Sequence, residues 1–528
     1  MKAILKSRAD LLFFGGIGNY IKATSETHAE CGDRANDAIR VNGNEIRARV
    51  VGEGANLGAT QRGRIEYAQS GAGGSGGKIN TDAIDNSAGV DTSDHEVNIK
   101  VLLGDVVARG DMTLKQRDAL LVKMTDEVAD LVLRDNYLQT QALSLAEREG
   151  VSGVDRLQRL IRAQEKSGRL NRAIEFLPDD EEIAQRQAAG RGLTRPELAV
   201  LLAYAKMSLY DELLASDLPD DAPLAEDLEE YFPKPLRKNH ADAIKRHRLR
   251  REIIATAVTN AMINRAGIVF VNDMRERTNA TSPEITRAYT VAQQVFGLRK
   301  LWDEIEALDN KVPAAAQSRM LAVTMQLLER ATLWLLRNGG GPIDIAAFTK
   351  RFEPGAKALR AAMPGVLDTA RAGESAKAAQ ALVADGVPAK LAEAVSYLED
   401  MIPALDIVRI AETVKSDVSA VARLYFAVGA RLGLDWLRSA AGKIKIETPW
   451  QKRAVEAVYD DLSLQQGEIA RRAVNGGKAT DTAMTAWMDS NRTNLARIDG
   501  LMTELKAAPV VDLAALTVAG RELRALTL

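Results

Sequence analysis

Glycine is distributed unevenly along the chain, and this asymmetry constrains the fold more than any other feature of the sequence. Residues 1–110 hold 17 of the 39 glycines and no proline, whereas the other 418 of the 528 residues hold 22 glycines and all 15 prolines. Glycine loops between short apolar runs are typical of α/β domains, and a long glycine-poor region favours packed helices. The sequence therefore predicts two differently built regions that join near residue 100.

Short apolar runs alternate with glycine loops in the first region. The runs at residues 10–14 and 46–51 each end at such a loop, and helical patterns follow at residues 24–39 and 61–69. Strand, glycine loop and helix recurring at about 30-residue spacing indicate βα units on a parallel sheet. Ligands bind such sheets at the carboxyl ends of the strands, so both glycine loops are candidate binding loops.

No single glycine loop is a complete nucleotide-binding motif. Gly16-x-Gly18 and Gly52-x-Gly54 both lack the third glycine of a dinucleotide fingerprint, so each is a weak signal for phosphate binding and a tight turn is its alternative. Residues 71–78 resemble a phosphate-binding loop but lack its first glycine and the Ser or Thr that would bind magnesium. We predict a surface loop there.

The sequence gives little support for a metal site or for a catalytic Ser-His-Asp triad. His28-x-x-Cys31 is half of a zinc-like spacing without a second Cys/His pair, so we predict no metal site. Ser93, Asp94 and His95 are consecutive, and their side chains therefore diverge rather than form a hydrogen-bonded triad. We expect His95 to lie at the start of a helix.

Charge and cysteine content narrow the possible partners. The formal net charge is -2, Cys31 is the single cysteine, and no apolar stretch approaches the roughly 18 residues that span a bilayer. The basic run at residues 245–251 has no interleaved aromatic residues and follows an acidic segment at residues 217–230, which favours charge pairing or a solvated helix face. We predict a cytoplasmic protein that binds neither nucleic acid nor membrane.

The second region carries the pattern of amphipathic helices. Helix starts are predicted at Thr194 and at Ser282, and residues 339–342 are a break that could separate subdomains. We predict that Trp334 and Trp450 belong to the core. A core-facing helical stripe has 4-3-4-3 spacing and consists of Leu321, Met325, Leu328, Thr332 and Leu335.

Three segments of the first region become specific when they are taken together: DLLFFGGIGNYI, RARVVGEGANLGAT and IDNSAGVDTSDHEVN. In this order they resemble the back half of the dinucleotide domain of glutamate dehydrogenases. Later segments resemble the C-terminal part of the large NAD-dependent bacterial subfamily, among them LTRPELAVLLAYAKMSLYDELLASDLPDD and RREIIATAVTNAMINRAG. The likeness extends over nearly the whole chain.

The resemblance implies cofactor-binding roles for four residues. Gly15 and Gly16 match a small-residue pair that lies against the cofactor, and Asn56 is similar to the asparagine of a Glu-Gly-Ala-Asn motif beside the nicotinamide ribose. Asn86 begins the family's Asn-Ala-Gly-Gly-Val-x-x-Ser-x-x-Glu motif. An uncharged amide donates and accepts hydrogen bonds at once, so it can orient a carboxamide or a ribose hydroxyl without adding charge.

Ser93 matches the serine of the same motif, in which Ser87 and Ala88 depart from the pattern of the smaller enzymes. The resemblance implies that Ser93 donates its hydroxyl to the distal carboxylate of the substrate. From the residues alone, a helix N-cap that forms a capping box with Glu96 is favoured for Ser93, and only the resemblance places the substrate role above it.

Glu53, the first residue of the other motif, has a plain structural alternative too. It could form an ion pair with a neighbouring arginine such as Arg47 or Arg49.

For the fold, the resemblance implies a partial, Rossmann-like α/β dinucleotide-binding domain over residues 1–105, followed by a large, mostly α-helical region. We divide that region into a helical domain at 106–340 and a helical C-terminal domain at 341–528. The activity implied is NAD-dependent oxidative deamination of L-glutamate to 2-oxoglutarate and ammonium by a homo-oligomer.

In the family, the catalytic lysine and acid lie upstream of the segment that corresponds to residues 10–14. We therefore expect no catalytic residue in this chain, and interpret it as a C-terminal fragment that is inactive by itself. The alternative from another class is a non-catalytic helical scaffold or regulatory subunit with a vestigial nucleotide-binding half-domain.

Overall fold

The computed structural model describes residues 1–446, 448–474 and 479–527, which form two compact units, Met1–Tyr289 and Thr290–Leu528. The first unit begins with a small α/β region and continues as helices, and the second unit is helical. This arrangement confirms the predicted fold class. The predicted domain limits within the chain stay a prediction.

The α/β region contains four short strands in two parallel pairs. Strand β1 pairs with β4, with Phe14 opposite Glu53, and β2 pairs with β3. The strand predicted at residues 46–51 is displaced toward its C-terminal side, because only Val50 and Val51 belong to β4. The four strands are β1 (Leu11–Phe14), β2 (Ile21–Lys22), β3 (Val41–Asn42) and β4 (Val50–Glu53).

Tyr67 is the centre of the small core under these strands. Its side chain is fully buried, its hydroxyl donates a 2.9 Å hydrogen bond to the carbonyl oxygen of Ala48, and burial raises its pKa. Ile21, Val41 and Val51 pack in the same cluster. The loop at residues 71–78 folds back against this ring. The backbone of Gly77 lies so close to Tyr67 that a side chain would not fit there.

The helix predicted at residues 24–39 is wrong. The segment forms turns and one 3₁₀ helix, Arg34–Asn36. Polar side chains satisfy its backbone locally: Glu26 accepts a hydrogen bond from the N–H of Ala23, and Glu30 accepts one from the N–H of Thr27. Such side-chain bonds offer the backbone an alternative to the helical ladder.

The helical part of the first unit begins with α3 and α4, and α4 starts earlier than the sequence predicts. His95 therefore lies in the middle of α4 rather than at its start. It is 2% exposed, and burial lowers its pKa to about 4. The helices that lie within the first unit are α1 (Lys2–Leu5), α2 (Gln61–Ser70), α3 (Asp82–Asp85), α4 (Ser87–Ala108), α5 (Leu114–Glu149), α6 (Val154–Lys166), α7 (Asp180–Ala188), α8 (Arg195–Leu214), α9 (Ala225–Tyr231), α10 (Lys234–Asn239), α11 (Ala241–Lys245), α12 (Arg250–Ala266) and α13 (Phe270–Thr278).

Two further predictions for this unit are confirmed. Thr194 and Glu197 form a capping box at the start of α8. In the basic run at residues 245–251, Arg250 and Arg251 both pair with Asp220 of the preceding acidic segment. Among the described residues, no single helix is long and apolar enough to cross a bilayer, whereas α12 and α13 meet that test only as a pair bent by 86°.

The second unit consists of helices, and α14 (Ser282–Val295), whose start was predicted, leads into it. The predicted stripe lies on α16, where all of its residues are buried except the half-buried Met325. Trp450 contradicts its predicted core position: it is 75% exposed in the first turn of α23, with the Arg453 guanidinium 5.4 Å from its ring centre. The helices of this unit are α15 (Leu298–Glu306), α16 (Ala314–Asn338), α17 (Ile345–Val366), α18 (Thr369–Ala384), α19 (Ala389–Ser396), α20 (Ala404–Val414), α21 (Val418–Leu432), α22 (Leu434–Gly442), α23 (Pro449–Ala473), α24 (Asp481–Ser490), α25 (Arg492–Ala507) and α26 (Leu513–Arg524).

Candidate functional site

The candidate site is the edge of the small sheet at which β1 and β4 end. The two strands are parallel neighbours, so the backbone that follows Phe14 and the backbone that follows Glu53 leave the sheet at the same edge. Gly15 and Gly16 are exposed there, and a Cβ atom added to either would have no atom of another described residue within 4 Å, its two chain neighbours aside. The edge therefore has open space beside two residues without side chains.

The side chain of Glu53 closes the loop that follows β4. It is fully buried, and its two oxygens accept hydrogen bonds of 2.7 and 2.9 Å from Arg64 on α2 and one of 3.0 Å from the N–H of Ala59. Burial raises the pKa of Glu53, an effect that Arg64 partly counters. The predicted partners were wrong, because Arg47 donates to the carbonyl oxygen of Lys6 and Arg49 faces Asp10.

Two aspartates of α3 hold the same loop from the other side. Asp85 accepts a 3.0 Å hydrogen bond from the N–H of Glu53, and Asp82 accepts one of 2.8 Å from the N–H of Leu57. Asp82 also forms an ion pair with Arg64 at 3.2 Å. The backbone of the loop is thus fixed at both ends, which presents Asn56 at its exposed tip.

Asn56 and Asn86 are in direct contact. The Nδ2 atom of Asn86 donates a 2.6 Å hydrogen bond to Oδ1 of Asn56. Asn56 is exposed and Asn86 is half-buried at the N-terminus of α4. Among the described residues, the other atoms of the two amides, Nδ2 of Asn56 and Oδ1 of Asn86, carry no hydrogen bond, which leaves one donor and one acceptor side by side.

The start of α4 is positioned by α5, and the sequence analysis missed the residues that do this. Asn136 and Gln139 donate hydrogen bonds of 3.1 and 3.2 Å to the carbonyl oxygen of Ile84, and Gln139 donates a further one of 2.7 Å to Ser87 Oγ. These amides lie more than 50 positions after the groups that they bind. No local sequence pattern predicts such a contact.

Ser93 lies inside α4 and not on a loop before it. The helix begins at Ser87, and Ser93 Oγ donates a 3.3 Å hydrogen bond to the carbonyl oxygen of Gly89 one turn earlier. The capping box with Glu96 is therefore wrong, and Glu96 pairs instead with Lys100. Ser93 is exposed and follows Asn86 by seven positions, or about two helical turns, so both residues lie on one face of the helix.

The structure thus brings together most of the residues that the sequence analysis selected. Asn56 touches Asn86, Gly15 and Gly16 follow the strand that pairs with β4, and Ser93 lies farther along α4 on the face that carries Asn86. A donor and acceptor pair next to open backbone can hold a flat group that itself has a carboxamide. An exposed hydroxyl on the adjacent helix face can donate to a carboxylate.

Comparison with known proteins gives two family matches. Residues 1–146 match the family described as "Bacterial NAD-glutamate dehydrogenase, catalytic domain", and residues 190–525 match the family described as "Glutamate dehydrogenase, C-terminal". The candidate site lies within the first of these matches.

Three curated relatives are each named NAD-specific glutamate dehydrogenase. The protein of Pseudomonas aeruginosa is 44% identical over 524 residues, which are 99% of this chain and 32% of that protein. The Halomonas elongata protein is 43% identical over 466 residues, covering 88% of this chain and 28% of its own length. The Mycobacterium tuberculosis protein is 39% identical over 533 residues, covering 100% of this chain and 32% of its own length. The chain spans about a third of the length of these relatives.

Proposed function

This chain belongs to the large bacterial NAD-specific glutamate dehydrogenase family, of which it comprises a portion, and from that membership we propose that it supplies the nicotinamide side of an NAD site. The reaction served is the oxidative deamination of L-glutamate to 2-oxoglutarate and ammonium. The observation that carries the proposal is the contact between Asn56 and Asn86 at the carboxyl-end edge of β1 and β4.

The chemistry of the amide pair fits nicotinamide. The cofactor's carboxamide has one acceptor oxygen and one donor nitrogen, and the pair offers the complementary Nδ2 of Asn56 and Oδ1 of Asn86. Exchanging oxygen and nitrogen in both side chains would still leave one donor and one acceptor. When bound, NAD supplies the acceptor for the hydride that leaves the amino acid.

Gly15 and Gly16 give the cofactor room. Apart from each glycine and its two chain neighbours, no atom of the described residues lies within 4 Å of the position that a Cβ would take there, so a ring can approach the backbone. The ion pair of Glu53 with Arg64 keeps the neighbouring loop in shape without projecting charge into the site, because both side chains are buried. The edge that meets the cofactor thus consists of glycine backbone and neutral amides.

We assign Ser93 to the substrate. Its hydroxyl is exposed on the face of α4 that begins at Asn86, and its single hydrogen bond to Gly89 is long at 3.3 Å. Turning that hydroxyl toward a carboxylate would exchange a weak neutral hydrogen bond for a stronger charge-assisted one. Ser93 would then fix the distal carboxylate of glutamate relative to the nicotinamide.

For the helical regions we keep the division at residues 106–340 and 341–528, and assign them to the homo-oligomeric enzyme rather than to the chemistry. The test of the proposed function is NAD binding to the 528-residue chain by saturation-transfer NMR. Stronger saturation of the nicotinamide and its ribose than of the adenine would support it. A chain that does not bind NAD, but forms a stable complex with a partner protein, would favour the scaffold alternative.

A further inference from the structure

A second group of polar side chains lies on the buried side of α4, facing away from Ser93. Asp91 and His95 are one turn apart on α4, and Asp135 faces them from α5. One potential ligand atom from each of the three residues lies within 4.8 Å of the others, and His95 Nε2 is 3.9 Å from Asp91 Oδ1. The carboxyl groups of Asp91 and Asp135 are close enough to share a hydrogen bond, whereas the His95 ring stands farther from Asp91 than a hydrogen bond would.

The cluster contains polar atoms that the protein leaves unpaired. His95 is 2% exposed, and among the described residues its Nδ1 atom has no hydrogen-bond partner; Asp91 Oδ2 is likewise buried without an N–H or hydroxyl donor from these residues. The ring of Tyr231 stacks on the imidazole of His95, with 4.3 Å between the ring centres. Leaving such groups unpaired costs free energy, and a bound cation would recover part of that cost.

Carboxyl groups lie close together in the cluster, so their negative charges repel one another. Two carboxylates meet in a poorly hydrated place, and the cation that faces them from α8 is Lys206, which among the described residues forms no hydrogen bond and no ion pair within 4.0 Å. The guanidinium of Arg134 also acts on Asp135, whereas Asp94, on the next turn of α4, adds a further negative charge beside Asp91. The carboxyl groups of Asp91, Asp94 and Asp135 thus repel one another, and a bound metal ion would relieve that repulsion.

We propose that Asp91, His95 and Asp135 bind one divalent transition-metal ion, of the class that includes Mn²⁺ and Zn²⁺. One imidazole nitrogen and two carboxylate oxygens are a donor set that these ions accept. The side chain of Asp91 is 22% exposed, which gives an ion a route from solvent.

The ion would tie α4 to α5. The opposite face of α4 carries Ser93, and its first turn follows Asn86, so a metal bridge would hold both groups of the proposed glutamate dehydrogenase site in position. The role is structural, and the proposal does not depend on NAD binding. The sequence gives no sign of this set, because Asp135 is 40 positions from His95 and the set has no Cys/His spacing.

The experiment is a titration of the 528-residue chain with Mn²⁺ after treatment with a chelator, followed by electron paramagnetic resonance and calorimetry. We expect one saturable site and a higher thermal midpoint with Mn²⁺. His95→Gln and Asp135→Asn should each weaken binding by about tenfold or more, because each removes one of three protein ligands. Asp118→Asn, at an exposed position on α5, is the matched control and should keep the affinity within about a factor of two.

A variant with the opposite expected effect keeps the test independent of folding defects. Lys206→Met removes the ammonium group that opposes a cation, so the affinity for Mn²⁺ should rise several-fold. Absence of saturable binding in the folded wild-type chain would overturn the proposal and would mean that a shared proton joins the two carboxylates. Binding that persists unchanged in both His95→Gln and Asp135→Asn would overturn it as well.

Discussion

The side-chain amide of Asn86 donates a 2.6 Å hydrogen bond to the amide oxygen of Asn56, which lies 30 positions earlier in the chain. Asn56 lies in the loop after β4 and Asn86 lies at the N-terminus of α4, and their side chains meet at one edge of the sheet. The loop that carries Asn56 is itself held by Glu53, Asp82 and Asp85. Variants can test the hydrogen bonds that hold this loop, the open space beside Gly16 and the contact between the two asparagines.

Glu53→Gln should loosen the loop after β4. The exchange removes the buried counter-charge of Arg64 and leaves it the more exposed Asp82, and breaking a buried ion pair typically costs about 3–5 kcal/mol. Hydrogen exchange measured by mass spectrometry should show faster exchange at residues 54–59. Arg49→Gln, which removes an ion pair between two exposed side chains, is the control and should leave the exchange unchanged. Equal protection in the Glu53 variant would show that Glu53 does not close the loop.

Gly16→Leu should weaken NAD binding without lowering stability, whereas Gly77→Ala should lower stability. A side chain at Gly16 enters open space, so the variant should keep wild-type stability and lose NAD binding. At Gly77 the added methyl group meets the ring of Tyr67, and overpacking of this kind costs about 1–3 kcal/mol. Thermal unfolding and NAD titration of both variants check the pair. A Gly16→Leu chain that binds NAD normally would remove Gly15 and Gly16 from the proposed site.

Ser93→Ala should leave stability nearly unchanged. Surface substitutions away from caps stay within about 0.5 kcal/mol, whereas loss of an N-cap costs about 1 kcal/mol. Urea unfolding can separate these outcomes. In a full-length enzyme in which this chain replaces the matching segment of the Pseudomonas aeruginosa protein, the KM for glutamate should rise by about tenfold or more, because a hydrogen bond to a charged group is lost. An unchanged KM would contradict the substrate role.

His247 should make the chain less stable in mild acid. The ring is buried, Nε2 lies 3.0 Å from the carbonyl oxygen of Asn98, and Nδ1 accepts a 3.1 Å hydrogen bond from the N–H of Leu249. Burial lowers its pKa below the ordinary value of 6.5. The unfolded chain therefore binds the extra proton first, and stability falls as the pH drops below that value.

The measurement for His247 is the urea midpoint between about pH 7.5 and pH 5.5, a range in which histidine titrates. His247→Gln should lose less stability across that range than the wild-type chain. His28→Gln, at an exposed position, should follow the wild type. A His247 variant with an undiminished acid response would assign the effect to other groups.

The parts of this fold that were predictable rest on local signals. Residues 11–14 form a strand because an apolar run stops at two glycines, and the capping box at Thr194 starts α8 as its sequence indicates. The resemblance of the two motifs implied only that Asn56 and Asn86 each bind the cofactor. The structure adds the direct hydrogen bond between them.

The parts that were not predictable rest on contacts between distant positions. Glu53 pairs with Arg64 rather than with a nearer arginine, because α2 packs under the sheet and brings Arg64 to a buried carboxylate. Ser93 looked like an N-cap because Glu96 follows at the right spacing. Tertiary contacts from α5 start the helix earlier, at Ser87. Burial of His95 beside Asp135 likewise depends on how two helices pack.

The central claim is that Asn56 and Asn86 hold the nicotinamide end of NAD, and saturation-transfer NMR on the 528-residue chain tests it most directly. Asn56→Asp and Asn86→Asp each replace an amide by a carboxylate of nearly the same shape. Each should weaken NAD binding by about tenfold or more, because a hydrogen bond is lost and a negative charge is placed next to an anionic ligand. Asn44→Asp, at an exposed asparagine elsewhere in the α/β region, should leave binding unchanged. The account predicts saturation concentrated on the nicotinamide and its ribose, and its loss in the first two variants. Saturation concentrated on the adenine, or undiminished in both variants, would contradict it.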